Sequence, residues 1–317
     1  MHETVLHRSK SLLADLIAFP TITGTPIMPI AQHIGAYLER HGIAYRLDPN
    51  PSGDHANILA TIGPEVDGGV MLSGHLDVVP ADPVGWSGNP FTMREHDGKL
   101  YGRGAVDMKG FVAAAIAAAV EARAMDLKRP LHLAFTFDEE TSCFGARQMQ
   151  PMLEALRYKP AVCLVGEPTG MRPIVAHRSS IEAAFEVRGR AAHAADPSEG
   201  VNALYFASKL VQFIADLADR LAAKPRADTP FVPPYTTLNV GVLEAGESRN
   251  TVPENAFGLW EVRALPDEDG WALVAEIEAF LRDVLRPEIK ALDAKADIAL
   301  VEVIETRGLK AETDSRA

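Results

Sequence analysis

The residues of this sequence best suited to chemistry are His75 and Asp77, which end a short apolar run. In an extended segment, residues i and i+2 point to the same side, so the imidazole and the carboxylate leave the strand on one face. A carboxylate near a histidine commonly orients the ring of a metal-binding imidazole. The pair therefore predicts a ligand with its orienting partner.

Acidic side chains follow further strands or tight turns. Asp107 follows a glycine-rich turn, Glu139 and Glu140 follow one apolar segment, and Glu167 follows another. Taken singly, each has an ordinary structural explanation, such as a helix cap at Asp107 or solvated strand ends at the glutamates. Together with His75 they predict a zinc site, because imidazole and carboxylate ligands suit zinc. Of two neighbouring glutamates, one can bind the metal while the other acts as general base.

The elements that must position these groups alternate between strand and helix. Apolar runs bounded by glycine and proline predict strands, and apolar residues at helical spacing predict helices. The strands are expected at residues 57–62, 70–72, 131–137 and 161–165, and the helices at residues 5–17, 27–41 and 110–125. Such alternation predicts an α/β fold with a mostly parallel sheet, whose ligand sites lie beyond the carboxyl ends of the strands. The loop over residues 80–97 is predicted to border that site.

A different pattern begins near residue 178. Apolar and polar residues alternate there, as in a strand with one wet face. A helix near residues 199–221, strands near 236–243 and 255–265, a helix near 268–285 and a strand near 297–304 complete a β-α-β-β-α-β order. This order predicts a ferredoxin-like second domain. We expect a catalytic domain over residues 1–177, the second domain over 178–306 and a tail over 307–317.

Composition excludes several classes of partner. The chain has 317 residues and a formal net charge of −12, which disfavours nucleic acid and anionic membranes. It contains neither a membrane-length apolar run nor a signal-like start, so a cytoplasmic protein is expected. Cys143 and Cys163 are too few for a disulfide framework or a thiolate zinc site, and we expect reduced thiols. Nothing predicts a nucleophilic role for Cys143.

Several segments resemble a known family. They are Ser73-Gly74-His75-Leu76-Asp77-Val78-Val79-Pro80, Gly102-Arg103-Gly104 followed by Asp107-Met108-Lys109-Gly110, Asp138-Glu139-Glu140, and Gly166-Glu167-Pro168-Thr169. In order and spacing they resemble the co-catalytic zinc family of aminoacylases and carboxypeptidases. Other segments resemble its acetylornithine deacetylase branch more than its succinyl-diaminopimelate desuccinylase branch: Lys99-Leu100-Tyr101-Gly102-Arg103-Gly104, Gly189-Arg190-Ala191-Ala192-His193, Gly200-Val201-Asn202-Ala203 and Leu238-Asn239-Val240-Gly241. The resemblance covers essentially the whole chain.

The resemblance implies a centre of two zinc ions, with cobalt as a possible substitute. Asp107 would bridge the two ions, His75 and Glu167 would complete the first, and Glu140 would bind the second. Asp77 would hold the ring of His75. These roles come from the matching motifs and not from spacing alone.

The resemblance also implies the remaining site residues. Glu139 would take a proton from the water between the metals and pass it to the departing amine. His193 would reach a partner subunit's active site and stabilise the oxyanion, and Arg249 with Asn250 would hold the substrate's carboxylate. A homodimer through the second domain and a cis peptide bond between Asp107 and Met108 are further expectations.

One departure from the family pattern concerns its last metal ligand, a histidine in a segment after the second domain. No histidine follows His193, and the sequence ends at Ala317. We therefore expect a C-terminally truncated, incomplete catalytic domain that binds at most one zinc ion firmly and is poorly active.

The leading functional hypothesis is removal of the acetyl group from N-acetyl-ornithine, a step of arginine biosynthesis implied by the resemblance. Metal chemistry does not select the acyl group, so a desuccinylase, a dipeptidase or an aminoacylase acting on another small N-acyl amino acid is the alternative within the enzyme class. Outside it, the alternative is a non-catalytic fragment that keeps the dimer-forming domain.

Overall fold

The computed structural model of this chain describes residues 2–82 and 84–314. Internal contacts divide the chain into a first unit, Met1–Pro173 with Asp314–Ala317, and a second unit, Ile174–Thr313. The expected boundaries at residues 177 and 306 stay predictions.

The first unit contains the elements that carry the acidic groups. In chain order its helices and strands are α1 (His2–Ile17), α2 (Met28–Arg40), β1 (Tyr45–Pro49), β2 (Ala56–Ile62), β3 (Gly69–His75), β4 (Arg94–His96), β5 (Lys99–Tyr101), α3 (Lys109–Ala122), β6 (Leu131–Thr136), α4 (Glu139–Ser142), α5 (Phe144–Glu154) and β7 (Pro160–Val165).

The central sheet of this unit has five strands in the order β1-β2-β6-β3-β7. Strand β3 pairs in parallel with β6 and β7, whereas the β1–β2 and β2–β6 pairs are antiparallel. The predicted α/β class is confirmed, and the parallel part of the sheet is the part that carries the candidate ligands. Because β2 and β6 bury almost every side chain, helices must cover both faces of the sheet.

The core of the first unit lies mainly between the sheet and three helices. Leu16 of α1, Ile34 of α2, Ile116 of α3 and Phe135 of β6 are all buried in one cluster. The small side chains of the alanine-rich helix α3 let it lie close to its neighbours, so its first turn is fixed firmly. A smaller cluster, which includes Met149 of α5, covers another part of the sheet.

The loop predicted over residues 80–97 contains more structure than expected. Strands β4 and β5 form a hairpin, and Asp97 and Gly98 connect them with φ angles of 49° and 70°. Asp-Gly is the common two-residue hairpin connection because both positions accept positive φ. The strands have three residues each, which is too short for a periodicity signal.

The second unit contains β8 (Ser180–Arg188), β9 (Ala192–His193), a 3-10 turn (Pro197–Glu199), α6 (Ala203–Ala222), β10 (Thr237–Ala245), β11 (Thr251–Val252), β12 (Asn255–Arg263), α7 (Gly270–Phe280), a π-helical stretch (Leu281–Leu285), α8 (Arg286–Leu292) and β13 (Asp297–Thr306). Its four-stranded sheet has the order β10-β12-β8-β13 and is antiparallel throughout.

This arrangement is the predicted ferredoxin-like one. Phe185 and Trp260 of the sheet and Leu210 and Ile277 of the helices are buried in one core. The helix expected to end at residue 285 continues to Leu292. Pro287 does not stop it, because it lies in the first turn of α8, where a missing N–H costs little.

Two expectations from composition concern the whole chain. Across the part of the chain that the structure describes, no helix combines the length and apolarity that a bilayer crossing requires. Cys143 and Cys163 are not joined by a disulfide.

Candidate metal centre

His75 lies at the carboxyl end of the central parallel strand β3. The ring is 1% exposed, and its Nδ1 lies 2.9 Å from the backbone oxygen of Asp77. Because a carbonyl only accepts hydrogen bonds, this contact assigns a proton to Nδ1. When the ring is neutral, Nε2 therefore carries the lone pair that can bind a metal. Nε2 in turn faces carboxylates: it lies 3.0 Å from Asp107 Oδ1, 3.8 Å from Glu167 Oε1 and 3.9 Å from Glu139 Oε2.

Asp77 is completely buried, and its carboxylate binds the backbone of the acidic pair Glu139 and Glu140. Its Oδ1 accepts the backbone N–H of Glu139 at 3.1 Å, and its Oδ2 accepts that of Glu140 at 3.0 Å. The same Oδ1 is 3.5 Å from His75 Nδ1, farther than the backbone oxygen. Asp77 thus orients the ring of His75 mainly through its main chain, and the two glutamates through its carboxylate.

The acidic pair begins the short helix α4 directly after β6. Asp138 makes the connection with φ 53° and ψ 39°, the left-handed region that few non-glycine residues adopt. His55 lies beside it, with Nε2 3.6 Å from Asp138 Oδ1. The turn at Asp138 and the hydrogen bonds from Asp77 together orient the side chains of Glu139 and Glu140 toward the end of β3.

Asp107 comes from a tight turn before α3. The Asp107–Met108 peptide bond is cis, as the resemblance implies. Lys109, the first residue of α3, is 0% exposed, and its ammonium donates to the carbonyl oxygens of Leu16 at 3.0 Å and Phe19 at 2.7 Å. Burial lowers the pKa of Lys109 to about 7. The sequence motif contained this lysine, but nothing in the pattern indicated that its charge is buried.

Glu167 follows β7 and completes the group. The backbone N–H of Gly166 donates to Ser73 on β3 at 3.1 Å, which fixes the end of β7 beside β3. A Cβ at Gly166 would lie 1.9 Å from the ring of Phe111, so only glycine allows this approach. The chain then places the half-exposed carboxylate of Glu167 near His75.

The five predicted groups form two overlapping sets with metal-ligand spacing. His75, Glu139 and Glu167 form one, and His75, Asp107 and Glu140 form the other, with the ligand atoms of each set within 4.8 Å of one another. Imidazole nitrogen and carboxylate oxygen are the donor types that zinc and cobalt accept, so these residues fit a metal. The sets differ from the predicted grouping, in which Glu167 shares an ion with Asp107 and Glu139 binds none.

The electrostatics of the centre favour a cation. Burial raises the pKa values of Glu139, Glu140 and Glu167, and neighbouring carboxylates raise them further, that of Glu167 to about 7. Burial acts to lower the pKa of His75, but Asp77, Glu139 and Glu167 outweigh it and raise that pKa to about 9. Several negative groups crowd one imidazole, and a bound cation would relieve their mutual repulsion.

His193, Arg249 and Asn250 lie in the second unit, on two neighbouring loops. His193 pairs with Thr251 between the two-residue strands β9 and β11, and the N–H of Ala194 donates to the backbone oxygen of Asn250 at 2.9 Å. All three predicted side chains are exposed. The structure thus brings these three residues near one another within their unit, and their predicted roles stay predictions.

Sequence comparisons show the family. A match to the peptidase family M20/M25/M40 covers residues 71–245. Acetylornithine deacetylase from Shigella sonnei (strain Ss046) is 37% identical over 231 residues, which are 73% of this chain and 58% of that relative. Acetylornithine deacetylase from Klebsiella pneumoniae (strain 342) is 33% identical over 318 residues, which cover 94% of this chain and 82% of that relative.

Solved structures show the same fold. The M20 family metallo-carboxypeptidase Sso-CP2 from Sulfolobus solfataricus has a TM-score of 0.76 at 17% identity, over 97% of this chain and 80% of its own. Human carnosine dipeptidase 1 has a TM-score of 0.69 at 18% identity, over 98% of this chain and 81% of its own. At these identities the likeness concerns the fold alone.

Proposed function

We propose that this chain, which belongs to the peptidase family M20/M25/M40, is a metal-dependent hydrolase that removes the acetyl group from N-acetyl-ornithine, as in arginine biosynthesis. Hydrolysis of an amide is supported by the family and by relatives named for deacetylation. The choice of N-acetyl-ornithine is supported by those relatives' names. One observation carries the proposal: His75 Nε2 lies within 3.9 Å of oxygens from three carboxylates that arrive from separate elements.

The proposed metal holders are His75, Asp107, Glu140 and Glu167. Each follows a strand or a turn, and backbone contacts fix the position of its main chain. Zinc is the proposed ion, with cobalt as a substitute, bound firmly at one of the two sites that the resemblance implies. When bound, such an ion polarises the amide carbonyl and acidifies a coordinated water.

Glu139 is the proposed general base. Its carboxylate is partly exposed and lies 3.9 Å from His75 Nε2, while its backbone N–H is held by Asp77. Burial raises its pKa above the ordinary glutamate value, the direction that favours a group that accepts a proton and later returns it. Glu139 would take the proton of the attacking water and deliver it to the amine of ornithine as the amide C–N bond breaks.

Substrate recognition is proposed for the second unit. Arg249 offers a guanidinium in an exposed turn, a suitable partner for the α-carboxylate of the substrate, and Asn250 is its proposed neighbour in that contact. His193 is the proposed donor to the developing oxyanion, reaching the site of a partner subunit. The proposed homodimer would use the second unit, where β10 and β13 are edge strands. The proposed location is the cytoplasm.

Metal analysis and a substrate panel test the proposal. We expect zinc in the purified chain by elemental analysis and release of acetate from N-acetyl-ornithine at a higher kcat/KM than turnover of N-succinyl-diaminopimelate, a dipeptide or another N-acyl amino acid. A higher kcat/KM for one of these other substrates would support the hydrolase activity but overturn N-acetyl-ornithine as its substrate. A chain that binds no metal and hydrolyses none of them would overturn the enzyme and favour a non-catalytic role.

A further inference from the structure

Lys109 is a buried cation beside the candidate metal centre. Its side chain is 0% exposed, and its ammonium has hydrogen bonds only to the carbonyl oxygens of Leu16 and Phe19 among the residues that the structure describes. No carboxylate of the described chain forms an ion pair with it. Burying a charge without an ion-pair partner is costly, and Asp77 acts on this ammonium only at longer range, so its presence calls for a compensating role.

The two carbonyl groups do not supply that role by themselves. Leu16 O also accepts the backbone N–H of Phe19 at 3.3 Å, and Phe19 O accepts that of Thr21 at 2.9 Å. Each carbonyl would keep a hydrogen-bond partner without the lysine. The need to satisfy buried main-chain groups therefore does not explain why an ammonium lies here.

Lys109 closes the turn that carries Asp107. Its backbone N–H donates to the carbonyl of Gly104 at 2.8 Å, and its aliphatic stem packs on the same glycine. A Cβ at Gly104, where φ is 79°, would lie 3.1 Å from Lys109 Cδ. The lysine side chain thus packs against the Asp107 turn, and its ammonium connects this turn to the end of α1 through hydrogen bonds.

The segment after α1 also contacts the strand end that carries His75. Thr21 Oγ1 donates to the carbonyl of Leu76 at 2.6 Å, and the N–H of Val78 donates to the carbonyl of Thr21 at 2.9 Å. Residues 16–23, named here the bridging segment, therefore contact Lys109 on one side and the chain just after His75 on the other. The two candidate ligands His75 and Asp107 come from separate elements that this segment joins.

We propose that Lys109 is a positioning residue of the metal centre, which holds the Asp107 turn in place relative to the end of β3 through the bridging segment. It touches neither metal nor substrate in this role. The inference rests on the proposed function, because it assigns Lys109 to the same metal centre.

The test is Lys109→Met, which keeps an unbranched side chain, one heavy atom shorter, and removes the charge and the donors. Zinc affinity is measured on the folded full chain by competition with a chromogenic chelator, and thermal unfolding is measured without metal. We expect the Kd for zinc to rise on the order of 10- to 100-fold, as for other residues that support metal ligands. The unfolding midpoint should be unchanged or higher, since an unpaired buried charge is removed. Saturating zinc should restore kcat.

Matched variants separate this role from a merely structural one. Ile34→Val removes one buried methyl group from α2 in the same unit, and it should bind zinc like the unchanged chain. Lys109→Gln, which keeps a shorter donor, takes the place of the Met variant if that variant does not fold. Unchanged zinc affinity in the Lys109 variant, or an equal loss in Ile34→Val, overturns the positioning role. If the unchanged chain binds no zinc, the proposed metal function fails instead.

Discussion

The candidate metal centre of the first unit and the His193–Asn250 loops of the second unit differ in how the predicted site residues are held. In the centre, His75 and Asp77 are buried, and strand ends bring carboxylates within 4 Å of one imidazole. In the loops, His193 and Arg249 are exposed, and His193 is held by its strand pairing with Thr251 and by the N–H of Ala195, which donates to its Nδ1 at 3.1 Å. The candidate ligands thus perturb one another within the folded unit, whereas the side chains proposed for substrate recognition are exposed. Changes in the first region should therefore alter kcat and metal binding, and changes in the second should alter substrate affinity or oxyanion stabilisation.

The largest expected effect is on turnover in Glu139→Gln. The amide cannot accept a proton from water, so we expect kcat for N-acetyl-ornithine to fall about 10²- to 10⁴-fold. Zinc content should stay unchanged, because Glu139 is proposed as the base and not as a ligand. Glu154→Gln, an exposed glutamate on α5, is the control. Loss of zinc together with activity would instead assign Glu139 to the set that it forms with His75 and Glu167.

Asp107→Asn should lower metal affinity more than any other change at a carboxylate. The predicted role of Asp107 is to bridge the two ions, and its Oδ1 is the carboxylate oxygen closest to His75 Nε2, at 3.0 Å. We expect the Kd for zinc to rise about 100-fold or more, since replacing groups that merely support ligands already costs 10- to 100-fold. Chelator competition on folded protein measures it. A larger loss in Glu167→Gln would reverse the assignment.

Zinc binding should strengthen as pH rises from about 6 to 9. Without metal, the pKa of Glu167 is raised to about 7 and that of His75 to about 9, so both groups hold protons that a cation must displace. Each displaced proton makes the Kd fall about tenfold per pH unit below the pKa of the group that loses it. Calorimetry in buffers of different ionisation enthalpy counts the protons released. A Kd independent of pH in this range contradicts the described charge crowding.

In the second unit, Arg249→Ala should raise KM about 10-fold or more and leave zinc binding unchanged, because a charge-assisted contact to the substrate carboxylate is lost. His193→Gln should mainly lower kcat. The control is Arg282→Ala, an exposed arginine of the same unit that pairs with Asp283. If Arg249→Ala behaves like this control, the recognition role is removed and the functional contrast between the two regions is lost.

The candidate ligands could be predicted from the sequence because they follow recognisable strands and turns. A strand that ends in His75, or in Glu139 and Glu140, is visible as an apolar run followed by charge, and parallel strands bring such ends to one edge. The contacts and distances among the side chains at that edge could not be predicted. The contact of the Asp77 backbone oxygen with the ring depends on the exact path of the chain after β3. The burial of Lys109 depends on long-range packing against the end of α1, which no local pattern encodes.

Elements were missed for related reasons. Strand β1 was not predicted, because Arg46, Asp48 and Pro49 leave no apolar run in its five residues. The β4–β5 hairpin had a signal at Asp97-Gly98, but its strands are too short for periodicity. The helical continuation past Leu285 was hidden by Pro287, which is tolerated in the first turn of α8.

The smallest expected effect compares two histidines of the same sheet. His132 on β6 lies opposite Met71 on β3, and it is 1% exposed with Nδ1 2.9 Å from Thr61 Oγ1. Burial lowers its pKa, whereas the carboxylates around His75 raise that of His75. Below pH 6.5 the unfolded chain therefore binds a proton at this histidine before the folded chain does, so the free energy of unfolding falls as pH falls.

His132→Gln should remove this part of the acid sensitivity, a slope of at most about 1.4 kcal/mol per pH unit below the pKa of the unfolded histidine. Above that pKa both states are neutral at this position, and the slope should be the same with and without the substitution. Urea unfolding between about pH 5 and 8 measures it, with His96→Gln, an exposed histidine on β4, as the control. An unchanged slope in His132→Gln would mean that burial alone, without charged neighbours, does not tune a histidine in this sheet. The contrast with His75 would then have to come entirely from its carboxylates.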